Sequence, residues 1–404
     1  MRQPKRKHWR PRIVSDLHSH GSFVASEGTL HQEAVQQAGS DDFGDPSYLD
    51  GLGVLLRSLD ESRTLSELGR SILRNQVLTS LTTRLRCEQL LKENPAVLEI
   101  DVRRPIFITG LVRTGSTALH YLMGQDPGVQ KLEYWLSAQP QPRPPRAQWD
   151  AHPDFQHSVA SLDFLYNNAP DLMTVHEMKA DWPEECGHIL AQSFTDDRFE
   201  CSATLPSYCE WYHHTPHRGA YVRHKKLIQL IGSTSPQMRW LIKYPVHLRQ
   251  LPALFDVYPD ACVVQTHRDP RTVIASYTSF LAKIHRMHEE RLDEVTIAHA
   301  QLDSWAVAAD AGVAYRREHG SEQFYDLDFD DFMADPIGSV KRIYARFDQE
   351  LSPEGERRLA KWEAEHPQAK HGKHEYERQE FVIPDREILE RFANYLEFFE
   401  MMPS

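Results

Sequence analysis

Two short stretches of this chain place cations and small hydroxyls where they can grip anions. In Ile106-Phe-Ile-Thr-Gly110-Leu-Val-Arg113-Thr-Gly115-Ser116-Thr117, an apolar run enters a glycine-bounded loop and then a helix start. That is the frame of a phosphate-binding loop, with Ser116 standing where a nucleotide triphosphatase carries the Lys that reaches the β- and γ-phosphates. Hydrolysis of ATP or GTP loses its main support without that Lys. Backbone N–H groups at a helix N-terminus, the hydroxyls of Ser116 and Thr117 and the cation of Arg113 remain, and they can hold a single 5′-phosphate. The second stretch, Ala261-Cys-Val-Val-Gln-Thr-His-Arg268-Asp-Pro270-Arg-Thr-Val-Ile-Ala-Ser276-Tyr277, is a strand ending in Arg, an Asp-Pro turn and a helix. Pro270 suits a first helical turn, where no N–H is needed, and Ser276 then lies about two turns along.

Together, in this order, the two stretches resemble the 5′-phosphosulfate loop and the 3′-phosphate element of PAPS-dependent sulfotransferases of the broad bacterial type. The resemblance implies that Arg113, Thr114, Gly115, Ser116 and Thr117 hold the 5′ end of PAPS, and that Arg268 and Ser276 hold the 3′-phosphate that distinguishes PAPS from ATP. Lys373, in the basic loop Lys370-His-Gly-Lys373-His-Glu-Tyr376, is similar in placement to the family's lysine-containing segment over the 3′-phosphate. Lys243, ending the run Trp240-Leu-Ile, stands where the family has a lysine bridging cofactor and transferring sulfonate. PAPS as donor, adenosine 3′,5′-bisphosphate (PAP) as product and no required metal follow as expectations.

Sulfuryl transfer moves SO₃ in line from the 5′-phosphate oxygen to an acceptor hydroxyl or amine. As in phosphoryl transfer, the protein's work is positioning and electrostatics. Arg113 beside the leaving oxygen contributes on the order of 4 kcal/mol before desolvation, for charges about 4 Å apart at an effective dielectric near 20. A general base contributes roughly 10²- to 10⁴-fold. Cytosolic members of the family place a His two residues after the strand-end Lys, and this chain has Pro245 there. Other branches place a Glu about twenty residues beyond the loop Arg, and Glu133 occupies that position. Glu133 is therefore the expected base, with Glu184, Glu185 and His247 as runners-up. Asp181 followed by Pro183, Glu184 and Glu185 is also how a helix starts. His176 and His188 read as residues that organise the pocket or the core.

Something must hold these groups together. The apolar runs at 106–109, Arg239–Lys243, Ala261–Thr266 and Gln323–Leu327 read as buried strands of a mainly parallel sheet, each followed by a helical pattern. Both anion motifs fall at carboxyl ends of strands, where such sheets bind cofactors. The expected fold is therefore an α/β, P-loop-like three-layer architecture: a mainly parallel central sheet flanked by helices, plus an N-terminal helical segment and a helical insertion. Residues 1–43 read as an irregular tail and 44–404 as the sulfotransferase domain. Within it, 44–104 form a helical cap started by Thr64 with Glu67, and 135–235 an acceptor-side insertion. The aromatics Trp135, Trp182, Tyr208, Trp211 and Tyr212 suit either an acceptor pocket or a core.

A net charge of −12 argues against broad nucleic-acid binding, so an anionic cofactor needs locally placed cations. No apolar run is long enough to span a bilayer and the N-terminus lacks a signal-peptide core, which gives a cytoplasmic expectation. The dense basic opening, Arg2 to Arg12, reads as a solvated tail, and peripheral membrane contact and homo-oligomerisation stay open. Five cysteines without a C-x-x-C pair fit reduced thiols. The cluster His213, His214, His217 and His224 lacks metal-ligand spacing, so no metal is expected. The acceptor is expected to be a small molecule, lipid or glycan. Two other readings compete: a P-loop kinase or nucleotide phosphotransferase, and a catalytically silent nucleotide-binding protein.

Overall fold

A computed structural model describes residues 21–168, 170, 173, 177–366 and 382–401. Lys373 and its loop, His176 and the basic opening lie outside the described residues. Five strands form one sheet in the order β2-β3-β1-β4-β5: β1 Ile106–Gly110, β2 Val129–Lys131, β3 Arg239–Lys243, β4 Cys262–His267 and β5 Phe324–Asp328. Every pairing is parallel. The central strand β1 is buried along its whole length, which is why it reads as a continuous apolar run instead of an alternating one. Ile106 and Ile108 pack with Leu119, Leu122, Val340 and Ile343, whereas Phe107 packs into a separate core with Leu81, Leu227 and Tyr258. Helices therefore cover both faces, and the three-layer α/β expectation holds.

Register decides what meets at the carboxyl edge. Gly110 pairs with Thr266 across β1 and β4, and Ile108 with Lys243 across β1 and β3. The loop after β1, Lys243 at the end of β3 and Arg268 just after β4 therefore emerge side by side. β2 is an addition to the expected strands.

The N-terminal cap consists of α1 Glu27–Ala38, α2 Tyr48–Glu61 and α3 Glu67–Glu93. The irregular tail expected to run to residue 43 is thus corrected: α1 buries Leu30 and Ala34, one turn apart, which is too sparse a stripe to stand out in the sequence. The α3 cap is also corrected, because Ser66 and not Thr64 accepts the Gly69 N–H, at 2.9 Å. Thr64 instead donates its hydroxyl to Glu289 at 2.5 Å.

That contact belongs to a latch. Glu289 follows the long helix Pro270–His288 and receives Thr204 N at 3.0 Å and the Thr204 hydroxyl at 3.3 Å, with His285 Nδ1 at 2.8 Å. Ser66 N donates to His288 O at 2.9 Å, and a Cβ on Gly69 would lie 1.9 Å from that oxygen, so only glycine fits there. The cap, the insertion and the helix carrying Ser276 are pinned at one spot. Within the insertion, Trp135 and Tyr208 are fully buried, which assigns them to the core; Tyr212 is buried as well but borders a small cavity.

Candidate active site

The loop after β1 is shaped by two glycines and one strained arginine. Gly110 has φ 137°, and a Cβ there would sit 2.3 Å from the Thr266 carbonyl oxygen, so β1 and β4 approach closely because that side chain is missing. Arg113 at φ 60° and Gly115 at φ 80° are left-handed. Such residues ahead of a helix turn N–H groups inward and make an anion-binding hollow. α4, Ser116–Met123, begins there. The left-handed Arg113 costs about 1 kcal/mol, a strain typical of functional loops. Thr114 is buried, donates to Leu111 O at 2.7 Å and lies 2.6 Å from the Thr266 hydroxyl, so its side chain ties the loop to β4.

The two anion motifs meet. Arg268 Nη1 donates to the Arg113 carbonyl at 3.0 Å, and Arg113 Nε donates to Ser276 Oγ at 3.1 Å. Phe329, just after β5, bridges both motifs: the Arg268 guanidinium lies 3.9 Å from its ring centroid, and a Cβ on Gly115 would be 3.1 Å from its Cδ2. Nothing in the spacing of the sequence pointed to Phe329.

Lys243 is 2% exposed and donates to Thr117 Oγ1 at 2.8 Å. It also donates to Glu185, so loop, lysine and carboxylate form one chain of contacts. Behind it on α4, burial and the charges of Lys243 and Lys131 hold the His120 pKa well below its usual value, which keeps that ring neutral.

The carboxylate candidates separate. Segments 132–135 and 180–184 are joined by Glu184 N to Leu132 O at 2.7 Å, Tyr134 N to Trp182 O at 3.0 Å and a bridge between Glu133 and Pro183. This brings the two acidic stretches side by side, but their side chains diverge. Glu133 is buried and receives Arg143 Nε at 3.2 Å and Nη2 at 3.0 Å. Arg143 also donates to Gln130 at 3.0 Å. It was missed because it sits inside the proline-rich run Pro140–Pro145, which carries no periodic signal. Glu185 meets Lys243 and is 27% exposed at its side chain. Burial, joined by the charge of Glu185, raises the Glu184 pKa to about 7, and Glu184 Oε1 accepts the Glu185 N–H at 2.8 Å.

The histidines fill other roles. His247 is fully buried, with Nδ1 2.6 Å from the Tyr221 hydroxyl and its ring edge-on to Phe107. Burial holds its pKa well below the usual value. His188 Nδ1 lies 3.0 Å from the Ser137 hydroxyl, and burial likewise keeps it neutral. The four clustered histidines have separate partners: His213 meets Glu200 at 2.9 Å, His214 the Glu210 carbonyl at 2.8 Å, His217 the Tyr212 carbonyl at 2.9 Å and His224 the Tyr258 hydroxyl at 2.8 Å. Among the described residues no helix is long and apolar enough to cross a membrane.

Known proteins resemble this chain in sequence and in fold. Over 109 residues, 26% of the chain, it is 28% identical to the omega-hydroxy-beta-dihydromenaquinone-9 sulfotransferase Stf3 of Mycobacterium bovis and of Mycobacterium tuberculosis. That match spans 27% of the length of those curated relatives. The solved sulfotransferase STF1 of Mycobacterium tuberculosis H37Rv is 35% identical, with 92% of this chain and 100% of that one covered and a TM-score of 0.84. For sulfotransferase STF9 of Mycobacterium avium the identity is 25%, the coverage 96% and 99%, and the TM-score 0.85. Residues 105–353 match the profile of the sulfotransferase family, a span that contains both anion motifs, Lys243 and the acidic pair beside it. This chain belongs to the sulfotransferase family.

Proposed function

We propose that this protein transfers a sulfuryl group from PAPS to a hydroxyl of an acceptor, using the carboxyl edge of the sheet as one continuous donor site. The observation that carries this reading is the contact between the two anion motifs, Arg268 to Arg113 O and Arg113 to Ser276, which lets one nucleotide reach both. Ser276 and Arg268 hold the 3′-phosphate. The α4 N-terminus, Gly115, Ser116 and Thr117 hold the 5′-phosphate, with Thr114 fixing the loop and Arg113 stabilising the leaving oxygen. Lys243, already bonded to Thr117, lies against the transferring group. Lys373, outside the described residues, is assigned to the 3′-phosphate through the family resemblance alone.

Glu133 was the first candidate for the base, but its carboxylate is engaged by Arg143, so the role moves to Glu185. Glu185 sits on Lys243, keeps an exposed edge and is braced by Glu184 through its own N–H. With PAPS bound, Lys243 would turn to the sulfonate, and Glu185 would take the acceptor proton as the sulfuryl group passes to the hydroxyl oxygen. The curated relative named for an omega-hydroxy acceptor supports a hydroxyl as the group modified.

Calorimetric titration with PAP and with ATP plus magnesium tests the donor assignment. Tight PAP binding with weak ATP binding is expected, and preference for ATP would overturn it. Transfer of labelled sulfate from PAPS to a panel of alcohols and phenols tests the chemistry.

A further inference from the structure

A cavity is bounded by Asp197, Glu200, Tyr212, Arg249, Tyr277 and Trp305, among others. The room inside it is about 10 Å³. It adjoins the proposed transfer site on two sides. Tyr244, next after Lys243, lies 3.0 Å from Asp196 Oδ2 and bonds to Asp197, while Tyr277 follows Ser276. Glu185 is close enough for its charge to bear on Asp197.

Two polar atoms in the wall have no hydrogen-bond partner: Arg249 Nη1, on a residue 8% exposed, and the hydroxyl of fully buried Tyr212. Arg249 is held in orientation by its other nitrogen, which donates to Ser304 O at 3.0 Å and Ser304 Oγ at 2.7 Å. Glu200 is engaged by His213 and Asp197 Oδ1 by the Tyr244 hydroxyl, so Asp197 Oδ2 is the carboxylate oxygen of the wall that can still accept. An anion entering here meets Asp197 and Glu200, and a cation meets Arg249. A hydroxyl can accept from Arg249 and donate to Asp197, with Tyr212 serving in either direction. That room is about what one water needs, and so admits a single hydroxyl and no larger group. The rings of Tyr212, Tyr277 and Trp305 supply the apolar wall against which a C–H surface can lie.

We propose that this cavity is a specificity subsite receiving a second, neutral hydroxyl of the acceptor, so that the acceptor class is a diol or polyol with its other hydroxyl sulfated. The inference rests on the sulfuryl-transfer reading above. To test it, the full chain loaded with PAP is titrated calorimetrically with 1,2-octanediol and with 1-octanol. The diol is expected to bind about tenfold tighter, and Tyr212→Phe, which keeps the ring and removes only the hydroxyl, to weaken the diol by about five- to tenfold while sparing octanol. Equal affinity for the two alcohols, no diol binding, or a Tyr212→Phe effect that is nil or shared by both alcohols would overturn the subsite. Failure of PAP itself to bind would strike the donor reading instead, so the two failures are distinguishable.

Discussion

On the donor side of the molecule, Asp326 of β5 receives Arg316 at 2.6 and 2.8 Å, with His267 Nε2 at 2.9 Å. Burial pushes its pKa up, but those two hydrogen-bonding partners outweigh it and the value falls to about 2. Glu289 in the latch behaves alike: His285, Thr64 and Thr204 overcome burial and bring it to about 2. For two carboxylates nearer Lys243 the balance reverses, although Glu200 beside them, despite its burial, is still held below its usual value by His213. Glu184 has too few donors to offset burial and stands at about 7, and burial together with Glu200 and Glu185 likewise pushes Asp197 up, despite the Tyr244 hydroxyl. A carboxylate with a full set of donors is scaffold, fixed in its charged form. One that is buried with too few can exchange a proton near neutrality, as acid–base chemistry requires.

The largest effect that would sharpen this contrast is in turnover. Glu185→Gln is expected to lower kcat by about 10²- to 10⁴-fold and leave PAP affinity unchanged in titration. If Glu133→Gln does the same without loss of thermal stability, the base belongs to Glu133 after all. Next comes the donor side: Arg268→Ala removes a charge-assisted contact and should weaken PAP binding by about 10- to 100-fold, with Ser276→Ala losing less. Third, Asp326→Asn leaves the buried Arg316 short of its counter-charge, and chemical denaturation should show a loss of about 2 kcal/mol, since the carboxylate is partly exposed.

The smallest effect is one of slope. Unfolded Glu184 releases its proton near 4.5 and the folded residue holds it to about 7, so the native state binds more protons in that window. Its contribution therefore falls as pH rises from about 4.5 to 7, and Glu184→Gln should flatten that part of the stability profile. Asp326 and Glu289 act oppositely, since their contribution is present above the usual carboxylate range and fades as pH drops toward 2. Denaturation curves collected from pH 3 to 8 would reveal both slopes, and slopes of one sign would break the comparison.

Much of the donor half was readable from residue order, because its chemistry sits on single strand-loop-helix units. Strands β1, β3 and β4 are short and largely apolar and β5 alternates as Phe-Tyr-Asp-Leu-Asp, whereas β2 is three residues at an edge with Gln130 in its middle. The contact of Arg113 with Ser276 could be inferred only through the sheet order, since 163 positions separate them. The acceptor half was far less legible. Which of Glu133, Glu184 and Glu185 reaches Lys243 depends on side-chain direction across one bridge, and no sequence spacing encodes that. Asp197, Arg249 and Tyr212 come from separate segments, and no motif singles out the first two, while Tyr212 suited a pocket and a core equally.

The latch around Glu289 has a practical corollary. A fragment trimmed to residues 105–353, the span that resembles its family, would discard Thr64, Ser66 and Gly69 and strip the far end of the Ser276 helix of its anchor. The smallest piece worth expressing is therefore larger than that span and must reach back past Thr64 into the loop ahead of α3.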